Sequence, residues 1–75
     1  MVKPTKVTNS IRAVREAAGM TQAELARRVG VTRQTLIAIE QGRYSPTLEL
    51  AFQLARAFSV GLDDLFDYPA EEAGR

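Results

Sequence analysis

The stretch from Gln22 to Gln41, QAELARRVGVTRQTLIAIEQ, decides the fold. It reads as two short helices joined by a tight turn at Gly30. Thr21-Gln22-Ala23-Glu24 fits a capping box, with Thr21 as N-cap and Glu24 at the third helical position. Leu25, Ala26 and Val29 form the inner stripe of this helix. Gly30 takes a positive φ without a Cβ penalty, so the chain can stop and turn there. Val31 plugs the turn. Thr32 caps a further helix that runs to about Gln41 and stops at Gly42.

At 100° per residue, with Leu36 at zero, Ile39 falls at about 300° and Glu40 at about 40°. This arc faces a core. Gln34, Ala38, Gln41 and Ile37 fall between about 100° and 200° and make the opposite face. Arg33 and Thr35 flank it at the N-terminal end. The chemistry of that face suits base edges. Gln pairs bidentately with adenine, Arg with guanine, and a small apolar side chain touches a thymine methyl. Ala38 is also small enough to let the helix sit deep in a major groove. An ordinary solvated face is the competing reading for any one of these residues.

Two charges occupy inward angles. Taking Ile11 as zero in the preceding helix, Arg15 falls at about 40°. Glu40 holds the same inward angle in its own helix. A buried lone charge is expensive and a paired one much less so. An Arg15–Glu40 ion pair is therefore predicted, in a structural role.

Outward from this segment, a first helix is predicted from about Asn9 to Ala18, with Asn9 as N-cap and Gly19 as terminator. Arg43-Tyr44-Ser45-Pro46 reads as a loop. Thr47 caps a helix from Leu48 to Phe58 that is apolar around most of its circumference, the pattern of a central scaffold. Leu62 to Phe66 reads as a last short helix. Met1–Thr8 reads as an arm, residues 9–66 as the folded unit and residues 67–75 as a frayed tail. No segment alternates well enough to be a strand. Lys3 and Lys6 suit either a basic arm or an inert terminus. Tyr44 suits stacking near a sugar-phosphate chain, a subunit contact or packing on Pro46. Asp63, Asp64 and Asp67 lack the spacing of a calcium loop and read as capping and solvation.

Seventy-five residues supply one small core of modest stability. The chain has no cysteine and no histidine. Disulfides and Cys-based zinc sites are thereby excluded, and most nucleophilic, acid–base and transition-metal chemistry goes with them. An enzyme is disfavoured, and no cofactor or metal is expected. No apolar run is long enough to span a membrane. The expected location is the cytoplasm, at the nucleoid. The net charge of +1 hides an asymmetry: residues 1–45 carry a net +5 and residues 46–75 a net −4. One end can face a polyanion while the other stays away from it.

These residues together resemble the helix-turn-helix transcriptional regulators of the Cro and phage-repressor, or XRE-like, type. The resemblance runs from about Asn9 to Phe66. Leu25, Val29, Val31, Leu36 and Ile39 fall on the family's buried positions, Ala26 on its close helix approach and Gly30 on its turn. Arg15, Glu40-Gln41-Gly42, Ser45-Pro46-Thr47 and Leu62-Asp63-Asp64-Leu65-Phe66 also match its flanking pieces. The resemblance implies an all-α, lambda-repressor-like domain of five helices, with the second and third forming the helix-turn-helix. It implies that Gln22 contacts a phosphate and braces Gln34. Arg33, Gln34 and Thr35 would carry base readout, with Ala38 or Ile37 in apolar contact. Thr32, Gln41 and Arg43 would bind phosphate. Several phage repressors have a polar reader where this chain has Ala38, so specificity is expected to lean on Arg33 and Gln34.

The function implied is a DNA-binding regulator, chiefly a repressor or autoregulator, acting as a homodimer on a palindromic operator. Leu50, Leu54 and Ala57, with Leu62, Leu65 and Phe66, are offered as its dimer face. The alternative is a protein-interaction module, such as an antitoxin, with DNA binding secondary.

Overall fold

Thr21 opens the second helix with both halves of its capping box. Its hydroxyl accepts from the Glu24 amide at 3.0 Å, and the Glu24 carboxylate accepts from the Thr21 amide at 2.8 Å. The Thr21 amide first, and the Thr21 hydroxyl next, hold the Glu24 carboxyl below its ordinary value by hydrogen bonding to it; desolvation opposes this and Arg27 and Arg28 add to it. The computed structural model describes residues 5–43 and 45–69, in the order β1 (Thr8–Asn9), α1 (Ile11–Ala17), α2 (Gln22–Val29), α3 (Arg33–Glu40), α4 (Leu48–Ala57), α5 (Leu62–Leu65) and β2 (Phe66–Asp67). Lys3 and Tyr44 lie outside the described residues.

Gly30 ends α2 at φ 76°, and the Val31 amide donates back to the Ala26 carbonyl at 3.0 Å. A Cβ at Gly30 would meet nothing within 4 Å, so only the backbone conformation asks for glycine there. The end of α4 has the same geometry, with the Val60 amide donating to the Ala55 carbonyl at 3.0 Å, but its left-handed residue is Ser59 at φ 57°.

One apolar cluster joins the helices: Ile11, Leu25, Ala26, Val29, Leu36, Ile39, Leu54 and Leu65. Burial of each large aliphatic side chain contributes roughly 1.5–3 kcal/mol. Leu54 is completely buried and places α4 at the centre, with Ala51 and Ala55 beside it. Of the six residues expected at a dimer face, the packing withdraws Leu54 and Leu65 and leaves Leu62 half-buried. Leu54 and Leu65 are core residues, and Leu50, Ala57 and Phe66 pack against the core cluster. Among the described residues, the large apolar side chains left exposed are Leu48, Phe52 and Tyr68.

The arm and tail boundaries also change. Thr8 pairs with Asp67 and Asn9 with Phe66 in a two-stranded antiparallel ladder, extended by the Ser10 amide donating to the Leu65 carbonyl at 2.9 Å. The boundaries drawn after Thr8 and before Asp67 cut through this ladder. Asn9 is held in it, so α1 begins at Ile11 and not at Asn9. Asn9 still serves the helix start, its Oδ1 accepting from the Ile11 amide at 3.1 Å.

Candidate nucleic-acid interface

Helix α3 begins three residues after Gly30 because Thr32 caps it at once. The Thr32 hydroxyl accepts from the Thr35 amide at 3.1 Å and lies 2.9 Å from the Thr35 hydroxyl, to which it donates. Leu36 and Ile39 then fall inward, both essentially without exposure. Arg33, Gln34 and Gln41 are exposed, whereas Thr35, Ile37 and Ala38 are half-buried. The polar edge of α3 is thus presented outward by two core anchors one turn apart.

The C-terminal end of α3 is held by the chain that precedes α1. Asn9 Nδ2 donates to the Ile39 carbonyl at 2.9 Å. Farther out, the Thr5 and Ser45 hydroxyls lie 2.6 Å apart. Arg43, exposed just past Gly42, follows directly from this secured end.

Arg15 and Glu40 meet beneath the outward face. Arg15 Nε donates to Glu40 Oε2 at 2.8 Å, and Nη2 approaches Oε1 at 3.4 Å. Arg15 Nη1 donates to the Met20 carbonyl at 3.0 Å. The two side chains retain only 9% and 4% exposure. A pair so dry survives because its remaining hydrogen-bonding capacity is used. Among the described residues, no buried side-chain nitrogen or oxygen lacks a partner.

Gln22 extends the pair to the surface. Its Nε2 donates to Glu40 Oε1 at 3.2 Å, and its Oε1 accepts from Arg33 Nη2 at 3.2 Å. The brace implied by resemblance, from Gln22 to Gln34, is therefore replaced by one from Gln22 to Arg33. Gln22, Arg33, Ile37 and Gln41 line one open groove between α1, α2 and α3, whose floor includes Arg15 and Glu40. Thr32, Gln34, Thr35, Ala38 and Arg43 lie outside that groove. Arg12 also lines it and was missed by sequence reasoning. Its signal was present: on α1 it sits about 60° from Arg15, on the outward side. It is exposed and pairs with Glu16 one turn on, at 3.2 Å.

Residues 11–65 match the helix-turn-helix family model, which takes in α1 through α5. The chain belongs to the helix-turn-helix family of DNA-binding transcriptional regulators, in its XRE-type branch. Among similar helix-turn-helix proteins is an uncharacterized HTH-type transcriptional regulator of Methanothermobacter thermautotrophicus. It is 58% identical over 57 residues, covering 75% of this chain and 83% of that one. Another, from Archaeoglobus fulgidus, is 48% identical over 62 residues, covering 83% of this chain and 89% of that one. More distantly, the antitoxin HipB of Escherichia coli is 29% identical over 59 residues, covering 79% of this chain and 67% of that one. The solved structure of the restriction-modification controller protein C.AhdI from Aeromonas hydrophila superposes with a TM-score of 0.67 at 28% identity, covering 72% of this chain and 82% of that one. In helix-turn-helix terms, α2 and α3 are the motif, and α1, α4 and α5 supply the core it rests on.

Proposed function

We propose that this chain reads the major groove of double-stranded DNA with α3, as a homodimer on a palindromic operator, and represses transcription, including that of its own gene. One observation carries the reading: Arg33, Gln34 and Gln41 are held exposed on a helix whose other face is anchored by Leu36 and Ile39. Arg33 and Gln34 supply bidentate partners for guanine and adenine. Thr35 adds a hydroxyl, and Ile37 and Ala38 offer half-buried apolar contact. Gln22, Thr32, Gln41 and Arg43 flank the helix as phosphate contacts, which position a protein without specifying sequence.

A module this small binds one half-site weakly. Two copies on half-sites ~34 Å apart, one helical turn, gain affinity through linkage. Occupying DNA that the transcription machinery needs is then sufficient for repression. Such a protein acts in the cytoplasm, at the nucleoid.

Selection of bound sequences from random duplexes, followed by a salt titration of the selected duplex, tests the proposal. A palindromic consensus whose affinity falls steeply with salt supports it. Gln34→Ala relaxes preference at one position per half-site. Salt-labile binding to any duplex, with no consensus, refutes it. The similarity to HipB favours a second reading, an antitoxin that holds a protein partner. Co-purification of a partner at fixed stoichiometry would point to it.

A further inference from the structure

The segment that precedes α1 grips the chain on both sides of Arg43. Asn9 makes the first tether. The Ile39 carbonyl only accepts and the Ile11 amide only donates, so the Asn9 side chain sits one way round. Its Nδ2 faces Ile39 at 2.9 Å and its Oδ1 faces Ile11 at 3.1 Å. The same Ile39 carbonyl accepts from the Gly42 amide at 3.0 Å, in a left-handed turn where Gly42 has φ 74°. The Arg43 amide closes that turn by donating to the Ala38 carbonyl at 3.0 Å. Asn9 thereby ties the end of α3 to the start of α1 and, through its ladder partner Phe66, to β2. Thr5 makes the second tether. Its hydroxyl lies 2.6 Å from that of Ser45 and accepts from the Val7 amide at 3.0 Å. Ile39 and Ser45 stand four residues before and two residues after Arg43, which is itself exposed.

We propose that the segment from Thr5 to Asn9 clamps the turn carrying Arg43, and that Asn9 is a positioning residue for the phosphate contact of Arg43. This rests on the DNA-binding reading above. An arginine on an unrestrained turn loses backbone as well as side-chain freedom when it meets a phosphate. The clamp removes the backbone share of that loss before DNA arrives. Two consequences separate it from other roles. Phosphate contacts position a protein without specifying sequence, so every duplex should feel the clamp equally. A residue that served the fold alone would act whether or not Arg43 is present, whereas the clamp acts only through Arg43.

The experiment is a double-mutant cycle on DNA affinity, using the full chain, the selected duplex and a duplex of unrelated sequence. Asn9→Ser keeps a capping oxygen for α1 but is too short to reach Ile39. It should weaken binding to both duplexes by roughly 2- to 10-fold. In the Arg43→Ala background it should weaken neither further. Thr5→Val, which keeps the shape and removes the hydroxyl, should follow the same pattern with a smaller loss. Melting curves establish that each variant is folded at the assay temperature, and Thr5→Val carries the test if Asn9→Ser is not. An equal loss with and without Arg43, or no loss at all, overturns the clamp. A loss confined to the selected duplex also overturns it, because Asn9 would then be setting the pose of the base-reading face. Should the selection give no consensus, the unrelated duplex still tests the clamp, since the contact is to the backbone. If Arg43→Ala leaves affinity and its salt dependence unchanged, the phosphate role of Arg43 falls and the clamp falls with it.

Discussion

Removing the Glu40 carboxylate should destabilise this domain more than any other single change at its surface-linked network. In Glu40→Ala, Arg15 remains nearly buried, at 9% side-chain exposure, with the Met20 carbonyl as its one remaining partner among the described residues. A stranded charge of this kind costs roughly 3–5 kcal/mol. Total stability for 75 residues is on the order of 4–11 kcal/mol, so the loss is a large share of the whole. In a domain this size each kcal/mol moves the melting temperature by about 4–8 °C, giving a fall on the order of 12–40 °C. Thermal melts followed by circular dichroism measure it, with urea titration giving the free energy directly. The reasoning distinguishes the cost of breaking the pair from the worth of having it. An Arg15→Met/Glu40→Leu double variant removes both charges and both desolvation penalties, and should melt near or above the wild type. A Glu40→Ala protein within about 1 kcal/mol of wild type would refute the argument, because a dry, unpaired guanidinium cannot be that cheap.

Gly30→Ala should cost roughly 1–2 kcal/mol in the same melts, a purely conformational penalty since a Cβ there meets nothing. Ser59→Gly should do the reverse at the end of α4, gaining up to about 1 kcal/mol, less than Gly30→Ala loses because glycine also loosens the unfolded chain. Glu24 should give a pH signature. Its folded carboxyl lies below the ordinary 4.5, so its stabilising effect is fully present above that value and fades as pH falls through it toward the folded value. Melts of wild type and Glu24→Gln from neutral to acid should therefore converge as pH drops. On DNA, Arg43→Ala should weaken all duplexes about equally and reduce the slope of log affinity against log salt by about 0.9.

The helix-turn-helix was legible because its determinants are local. A capping box spans four residues, a left-handed turn needs one glycine, and Leu25, Val29, Leu36 and Ile39 report their burial through helical period alone. Even Arg15 and Glu40 could be matched, since each breaks an apolar arc and one charge asks for the other. The terminal ladder offered no such signal. Two residues per strand cannot show a period of two, and the Thr8–Asp67 partners lie 59 positions apart. Helix α4 was ambiguous for the opposite reason. Leu48, Leu50, Phe52 and Leu54 are apolar in near-alternation, and only docking against α2 and α5 decides that Leu54 turns in while Leu48 and Phe52 stay out.

The candidate site was half legible, and the boundary follows the kind of contact involved. Exposure of Gln34 and Gln41 follows from helix angle, and that of Arg33 from its place at the N-terminal end of α3. The partner of Gln22 does not follow from angle, because it depends on two acceptor–donor pairings made between α2 and α3. Glu40 takes Nε2, and Oε1 faces Arg33 across the groove, outside which Gln34 lies. A hydrogen bond to a charged donor is roughly twice as strong as a neutral one. The guanidinium of Arg33 takes Oε1, so one amide links the buried Arg15–Glu40 pair to the exposed face of α3.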